Sequence, residues 1–468
     1  MVPALVGGYG AFPAPLGLPV VVGAALFGVG IVLGTGCGFG TGRYAGAAAP
    51  DLALQVSSET VSGVYQMNRR DLLASIGAVA LAGGPATAAD EPWLSPLLPD
   101  GTRAEARFSR LPGKKPLIQL TDRPPNFETP IEAFRTAITP NDRFFVRYHL
   151  ANIPSTDALK GWRLTVGGDA AEREVALSHA DLDALPQVEV TAVCQCAGNR
   201  RGLFSPHVPG VQWGYGAMGC ATWRGPRLKD VLAKAGVTPG ALEVWLDGQD
   251  GPVLPQTPDF RKSLPMAKAL EERVIIATAM NGSPLPHLNG FPARIVVPGW
   301  TATYWMKHVT AIEVSSKPLD NYWIHKSYRV PAGMFAVDLP FLTQNDEAAW
   351  PVTEIVVNSL VAYPIEGMRL PEAGFTVQGV AWDRGHGIRR ADVSLDGGKT
   401  WQQAILGDDF GPFAFRAFSF KTGKLPLGPL IVSSRATSNA GETQAETLRS
   451  NPAGYHNNVP QQIAVTVA

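Results

Sequence analysis

The chain has 468 residues, 40 Lys+Arg balanced by 40 Asp+Glu, and only 17% charged residues against 45% hydrophobic ones. This length can hold two or three domains with a sizeable core, and charge neutrality argues against nucleic acid as the main partner, since phosphate binding needs a clustered basic excess. Fifty Gly and forty Pro favour a turn-rich, strand-rich fold over a helical bundle, and four Cys are too few for a disulfide scaffold.

No charged residue precedes Arg43, and residues 16–36 form an apolar run of the length a membrane helix needs, weakened by its glycines. A second pattern begins at Met67: Asn68-Arg69-Arg70-Asp71-Leu72-Leu73, a short apolar segment, then Ala86-Thr87-Ala88. A twin-arginine pair, an apolar stretch too short to span a bilayer and a small-residue cleavage site are the layout of a bacterial export signal. We therefore expect residues 67–88 to be a twin-arginine signal peptide that sends the protein to the periplasm. Residues 1–66 then read as an upstream extension without a folded role; the rival reading makes 16–36 a membrane anchor.

From Ala89 to about Lys115 the chain is Pro-rich, which suits an irregular, surface-draped lead-in. Short β-rich runs follow, among them Phe144 to Tyr148, Val188 to Val193, Ala293 to Val297 and Ala311 to Val314, with brief helical stretches such as Leu228 to Ala235. No βαβ period with a phosphate loop occurs, so residues 89–345 are expected to form a mixed α+β domain. After about 350, segments such as GFTVQGVAWD, IRRADVSLD and LIVSSRAT alternate apolar and polar residues between turn signals such as Asp396-Gly397-Gly398. This spacing predicts an all-β, immunoglobulin-like sandwich over 346–468.

Past residue 88 the chain keeps Cys194, Cys196 and Cys220, an odd number, so at least one thiol should be unpaired. We expect only one of Cys194 and Cys196 to face a given pocket. Cys196 is followed by Ala197-Gly198-Asn199-Arg200-Arg201, and the positive field of the two arginines lowers a thiol pKa. A thiolate there can be a nucleophile, with His207 or His149 as base, or a soft metal ligand.

The run Cys196-Ala197-Gly198-Asn199-Arg200-Arg201 is followed by Trp213-Gly214-Tyr215-Gly216-Ala217 and Trp223-Arg224-Gly225-Pro226-Arg227-Leu228. With Asn289-Gly290-Phe291-Pro292-Ala293-Arg294 and Ser394-Leu395-Asp396-Gly397-Gly398-Lys399-Thr400-Trp401, it resembles the sulfite oxidase family of molybdenum enzymes. Arg147-Tyr148-His149 and Pro298-Gly299-Trp300-Thr301 are similar in particular to the bacterial periplasmic sulfite dehydrogenases that reduce cytochrome c. The resemblance implies a molybdopterin-binding α+β domain of sulfite oxidase type followed by the β-sandwich, which would serve dimerisation. It implies Cys196 as the one protein ligand of molybdenum, with Cys194 facing away as core. Arg147, Arg201 and Tyr328 would be substrate-site residues, with Trp213 lining the pocket. Pterin contacts would come from Phe145, Val146, Arg147, Tyr148, His149, Asp250, Asn289, Arg294, Trp305, Met306 and Lys307. His287, His308 and His325 have no zinc spacing and read as solvated or core histidines.

The activity implied is oxidation of sulfite to sulfate. No Cys-x-x-Cys-His motif occurs, so no haem is expected on this chain and the electron acceptor should be a separate c-type cytochrome, as subunit or transient partner. A homodimer is the other expected assembly. The animal enzymes carry a further arginine near the segment that ends at Tyr455, and no counterpart is evident here. Two rivals stand beside this reading: a molybdenum enzyme that reduces methionine sulfoxide, and a non-catalytic exported binding protein.

Overall fold

The computed structural model describes residues 107–337 and 347–468. The expected signal peptide, the upstream extension and the candidate anchor all lie outside the described residues. The described residues pack as one compact unit.

The first region is built from short strands. Arg107–Ser109, Leu117–Thr121, Asn126–Glu128 and Val146–Arg147 form a four-stranded antiparallel sheet in chain order. The lead-in expected to be irregular therefore enters this sheet through Arg107–Ser109, and Lys114 behind it is only 8% exposed. A five-stranded mixed sheet centres on Val309–Ser315, which runs parallel to Leu164–Gly167 and antiparallel to Glu243–Gly248. A third sheet pairs the nine-residue strands Gln187–Gln195 and Met218–Pro226 along their whole length.

The helices are few and short, and the longest of those described with a full apolar stripe is Leu228–Ala235. Its buried residues, Leu228, Val231, Leu232 and Ala235, recur at the spacing of one helical face. Gly236 ends it at φ 73°, with its N–H donating to the Leu232 carbonyl at 3.1 Å.

The second region is all β. Asn358–Tyr363, Thr376–Trp382, Arg416–Lys421 and Ile405–Leu406 form one sheet, and Arg369–Leu370, Ile463–Val467, Gly428–Ser438, Ile388–Ser394 and Gln402–Gln403 the other. Val361, Val377 and Phe418 from the first pack against Val393, Val432, Ala436 and Val465 from the second. The strand at Ile463–Val467 continues the sheet beyond the alternating segments evident in sequence.

The two regions share a core. Phe134, Val193, Met218 and Cys220 pack with Leu360, Val380, Trp382 and Phe415. Hydrogen bonds cross the same seam: Trp382 Nε1 donates to Gln195 Oε1 at 2.6 Å, and the Val193 N–H to the Phe413 carbonyl at 2.9 Å. Val193 and Gln195 thus face the second region, which turns Cys194 towards the interior of the first.

Candidate active site: a cationic cavity with two thiols

The strand Gln187–Gln195 delivers Cys194, and Cys196 lies one residue beyond its end. Both thiols line a cavity together with Phe145, Arg147, His149, Asp250, Asn289, Arg294, Trp305, Met306, Lys307 and Tyr328. The expectation that Cys194 faces away is therefore corrected. Residues two apart share a face of a strand, so once Cys196 faces the cavity Cys194 does too. The Cys194 thiol lies 3.7 Å from Arg294 Nη2, and burial pushes its pKa up to about 11 despite that neighbour. All three cysteines of the described residues are buried and unpaired.

The same alternation sorts Phe145 to His149. Phe145, Arg147 and His149 line the cavity, whereas the side chains of Val146 and Tyr148 pack on the opposite face with Leu117 and Phe127. As side-chain contacts for a cofactor, Val146 and Tyr148 are thus corrected. Tyr148 instead holds His308 at 2.7 Å, and His308 reaches the Phe291 carbonyl at 2.6 Å. His287 is likewise spent on a backbone carbonyl, that of Pro154.

Among the titratable lining groups three are permanent or nominal cations, Arg147, Arg294 and Lys307, against one carboxylate, Asp250. Arg294 donates to the carbonyls of Asn289 at 2.9 Å and Trp305 at 3.2 Å, and lies over the rings of Trp223 and Trp305. Lys307 donates to the Arg147 carbonyl and lies over the Tyr148 ring; burial drives its pKa well down while Asp250 opposes the shift. Gly290, at φ 116°, lets the chain approach this pair: a Cβ there would sit 3.0 Å from Arg294 Cβ and 3.2 Å from Lys307 Cγ.

Burial raises the Tyr328 pKa and lowers that of His149 well below its ordinary value, so both are neutral at neutral pH. His149 stacks on Phe260 with ring centroids 3.6 Å apart, and its Nε2 meets the Tyr328 hydroxyl. Arg147 Nη2 lies 3.5 Å from the same hydroxyl and can only donate. Tyr328 therefore gives its own proton to His149 Nε2, which fixes the Nδ1–H tautomer. Tyr328 itself sits at φ 58°, a backbone region that side chains seldom occupy away from functional sites.

Arg201 and Trp213 are not among the residues lining this cavity. The Arg201 guanidinium folds back over Gly198, two residues after Cys196, where a Cβ would come within 2.7 Å of Nη1. Its Nε donates to the Ala453 carbonyl at 2.8 Å. Trp213 is fully buried in the core, and among the described residues its indole N–H has no acceptor. Arg200 is turned away from the site: it donates to the Ser359 carbonyl at 2.6 Å and the Val459 carbonyl at 3.1 Å, and ties the two regions together.

Sequence reasoning missed Lys114, Lys262 and Tyr455. Lys114 donates to Asn289 Oδ1 at 2.5 Å and to the carbonyls of Asn141 and Phe144, and burial brings its pKa down to about 7. Three acceptors around Nζ match the three protons of an ammonium. Lys262 donates to the Trp323 carbonyl at 2.8 Å and lies 5.3 Å from the Tyr328 ring centroid. Neither lysine carries a signal in sequence, because only the fold brings them to the site.

The residues fit an anionic pterin cofactor. The Thr303 hydroxyl lines the cavity, and it and Arg294 Nε are buried polar atoms without a partner among the described residues. Unsatisfied buried donors are costly unless a ligand completes them. Arg294 and Lys307 supply charge for a phosphate, and a cavity thiol supplies the soft donor that molybdenum prefers.

Comparison with known proteins agrees. Residues 150–323 match the oxidoreductase molybdopterin binding domain, and residues 349–467 the Mo-co oxidoreductase dimerisation domain. The mitochondrial sulfite oxidase of Mus musculus is 36% identical over 323 residues, covering 66% of this chain and 58% of that one. The sulfite oxidase of Gallus gallus is 35% identical over 329 residues, covering 68% of this chain and 69% of that one. This chain thus spans about three fifths of the mouse relative's length. The sulfane dehydrogenase SoxCD of Paracoccus pantotrophus superposes with a TM-score of 0.63 at 26% identity, covering 84% of this chain and 96% of that one. With its two domains in the same order and its cavity furnished for the pterin, the chain belongs to the sulfite oxidase family of molybdopterin-dependent oxidoreductases.

Proposed function

We propose that this protein oxidises sulfite to sulfate with a molybdenum cofactor and passes the electrons to a separate c-type cytochrome. The observation that carries the reading is the convergence of Cys196, Arg147 and Tyr328 on one cavity of net positive charge. Cys196 would be the protein ligand of molybdenum; Arg294, Lys307, Asn289 and the backbone at Trp305 and Met306 would hold the pterin. When bound, this cofactor supplies the two-electron oxidation and the oxygen that sulfur receives.

Arg147 contributes a fixed positive charge at the cavity wall, where a small divalent oxyanion gains most from a forked donor. Burial of the site strengthens that attraction relative to water. Tyr328 keeps its proton and donates it in a hydrogen bond to His149 Nε2, so its hydroxyl oxygen stays oriented by Arg147. Arg201, held beside Gly198, approaches from the side of the second domain.

The Arg69-Arg70 signal supports export to the periplasm, where a c-type cytochrome would be available. The second domain matches a dimerisation domain, which supports a homodimer. The name of the Paracoccus relative raises sulfane sulfur as a second substrate class, and the Arg147 guanidinium at the cavity wall favours the oxyanion.

The test is sulfite-dependent reduction of ferricyanide and of cytochrome c by the purified, molybdenum-loaded protein. Turnover with sulfite, lost in Cys196→Ser and weakened in Arg201→Gln, supports the proposal. Turnover with methionine sulfoxide or a sulfane donor and none with sulfite overturns it.

A further inference from the structure

The second domain reaches the site through its terminal segment, Asn451 to Asn458. Asn451 closes the segment on itself: its Oδ1 accepts the Tyr455 N–H at 3.0 Å and its Nδ2 donates to the Tyr455 carbonyl at 2.9 Å. Farther on, Asn458 Nδ2 donates to the Val357 carbonyl at 3.2 Å and anchors the segment to its own domain. Asn457 Nδ2 donates to the Arg200 carbonyl at 3.3 Å, which places the segment against the Cys196 loop.

Tyr455 then fills the space between two groups of the proposed substrate site. The Arg201 guanidinium lies over its ring at 5.3 Å from the centroid. On the ring of Tyr328 it stacks at 5.7 Å with planes 10° apart. The Ala453 carbonyl accepts from Arg201 Nε, and Gly454, at φ 62°, comes so near that a Cβ would lie 2.8 Å from Arg201 Cγ. An arginine has many rotamers of similar energy, and an aromatic face plus one carbonyl selects among them.

We infer that Tyr455 is a positioning residue of the substrate site: from the second domain, it holds Arg201 and Tyr328 in register and thereby sets the affinity for the anion. The inference rests on the reading of Arg201 as an anion-binding residue. It gives the second domain a part in substrate binding that a dimerisation role alone does not require. The ring face carries the effect on Arg201 and Tyr328, since both of those contacts are made with the ring, while the hydroxyl hydrogen-bonds Ser327.

The experiment compares wild type, Tyr455→Phe, Tyr455→Leu, Arg201→Gln and the Arg201→Gln/Tyr455→Leu double variant, each molybdenum-loaded, in steady-state sulfite oxidation. Loss of a cation–π and stacking partner should raise KM in Tyr455→Leu about tenfold with kcat nearly unchanged, while Tyr455→Phe stays close to wild type. The double variant should show the KM of Arg201→Gln alone, because Tyr455 sets the anion affinity by holding Arg201, the anion-binding member of the pair. A Tyr455→Leu KM equal to wild type, or a double variant that multiplies the two single effects, overturns the inference. The thermal shift induced by sulfate on the same proteins reads the anion site without turnover. A shift reduced in Tyr455→Leu but not in Tyr455→Phe supports the inference, and equal shifts in both overturn it. Absence of sulfite turnover in wild type would instead defeat the proposed function, while the sulfate shifts would still judge Tyr455.

Discussion

The core between the sheets of the second domain and the core around the cavity follow different rules. In the second domain Val377, Ala391, Val393, Val432 and Ile463 fill the space, all apolar and fully or almost fully buried. Its deeply buried carboxylates are satisfied locally: Asp383 accepts three backbone N–H groups, and Asp392 faces Arg390 and Arg435. Around the cavity the buried groups include the cations Lys114, Lys262, Arg294 and Lys307, each with a pKa lowered by burial. Taking such charges out of water is unfavourable, and a chain selected for stability alone would replace them with apolar residues. The contrast locates function where the cost is concentrated.

The contrast breaks most visibly at Arg147. Arg147→Gln should lower kcat/KM for sulfite at least about 100-fold, the loss of a charge-assisted contact at the cavity wall, with the melting temperature little changed. Steady-state kinetics beside a melting curve separates the two. Arg200→Met should do the reverse. It leaves the Ser359 and Val459 carbonyls without their donor and costs about 3 kcal/mol of stability, read by denaturant unfolding of the loaded protein.

In the second core Val393→Ala should cost about 2 kcal/mol by cavity formation and leave the KM for sulfite at its wild-type value. A changed KM there would blur the division between the two regions. Glu128 offers the effect most specific to pH. It accepts the N–H groups of Gly214 and Gly216 at 2.6 and 2.9 Å, and burial raises its pKa from 4.5 to about 7. Between those values the folded chain keeps a proton that the unfolded chain releases, so this group's contribution to stability falls as pH rises through the window. Glu128→Gln should flatten that part of the stability–pH curve, by up to about 1.4 kcal/mol per pH unit where the two states differ by one proton.

Much of this was legible from the chain itself. The helix Leu228–Ala235 lies where apolar periodicity puts it, because it buries a single face, and the strand Gln187–Gln195 contains the β-rich run Val188 to Val193 and is buried on both faces at its end. The resemblance named Cys196, Arg147, Asn289, Arg294, Lys307 and Tyr328, and all six line one cavity. The errors have definite causes. Cys194 and Tyr148 were misassigned because strand alternation decides which side chains share a face, and it places Cys194 with Cys196 and Tyr148 with Val146. Lys114 and Tyr455 come from opposite ends of the described chain, and no local pattern marks a residue whose partners are hundreds of positions away. Asn289 shows the limit in another form: its motif is visible in sequence, but the Lys114 ammonium that orients it is not.

Everything proposed for this site turns on whether the cavity holds molybdenum through Cys196. The direct measurement is the molybdenum content of the purified protein and of Cys196→Ser by elemental mass spectrometry, with the pterin quantified on the same samples. The wild-type protein should carry close to one molybdenum per chain, and the variant should lose most of the metal. A wild-type protein without molybdenum, or a variant that retains all of it, would rule out Cys196 as the ligand of a resident metal.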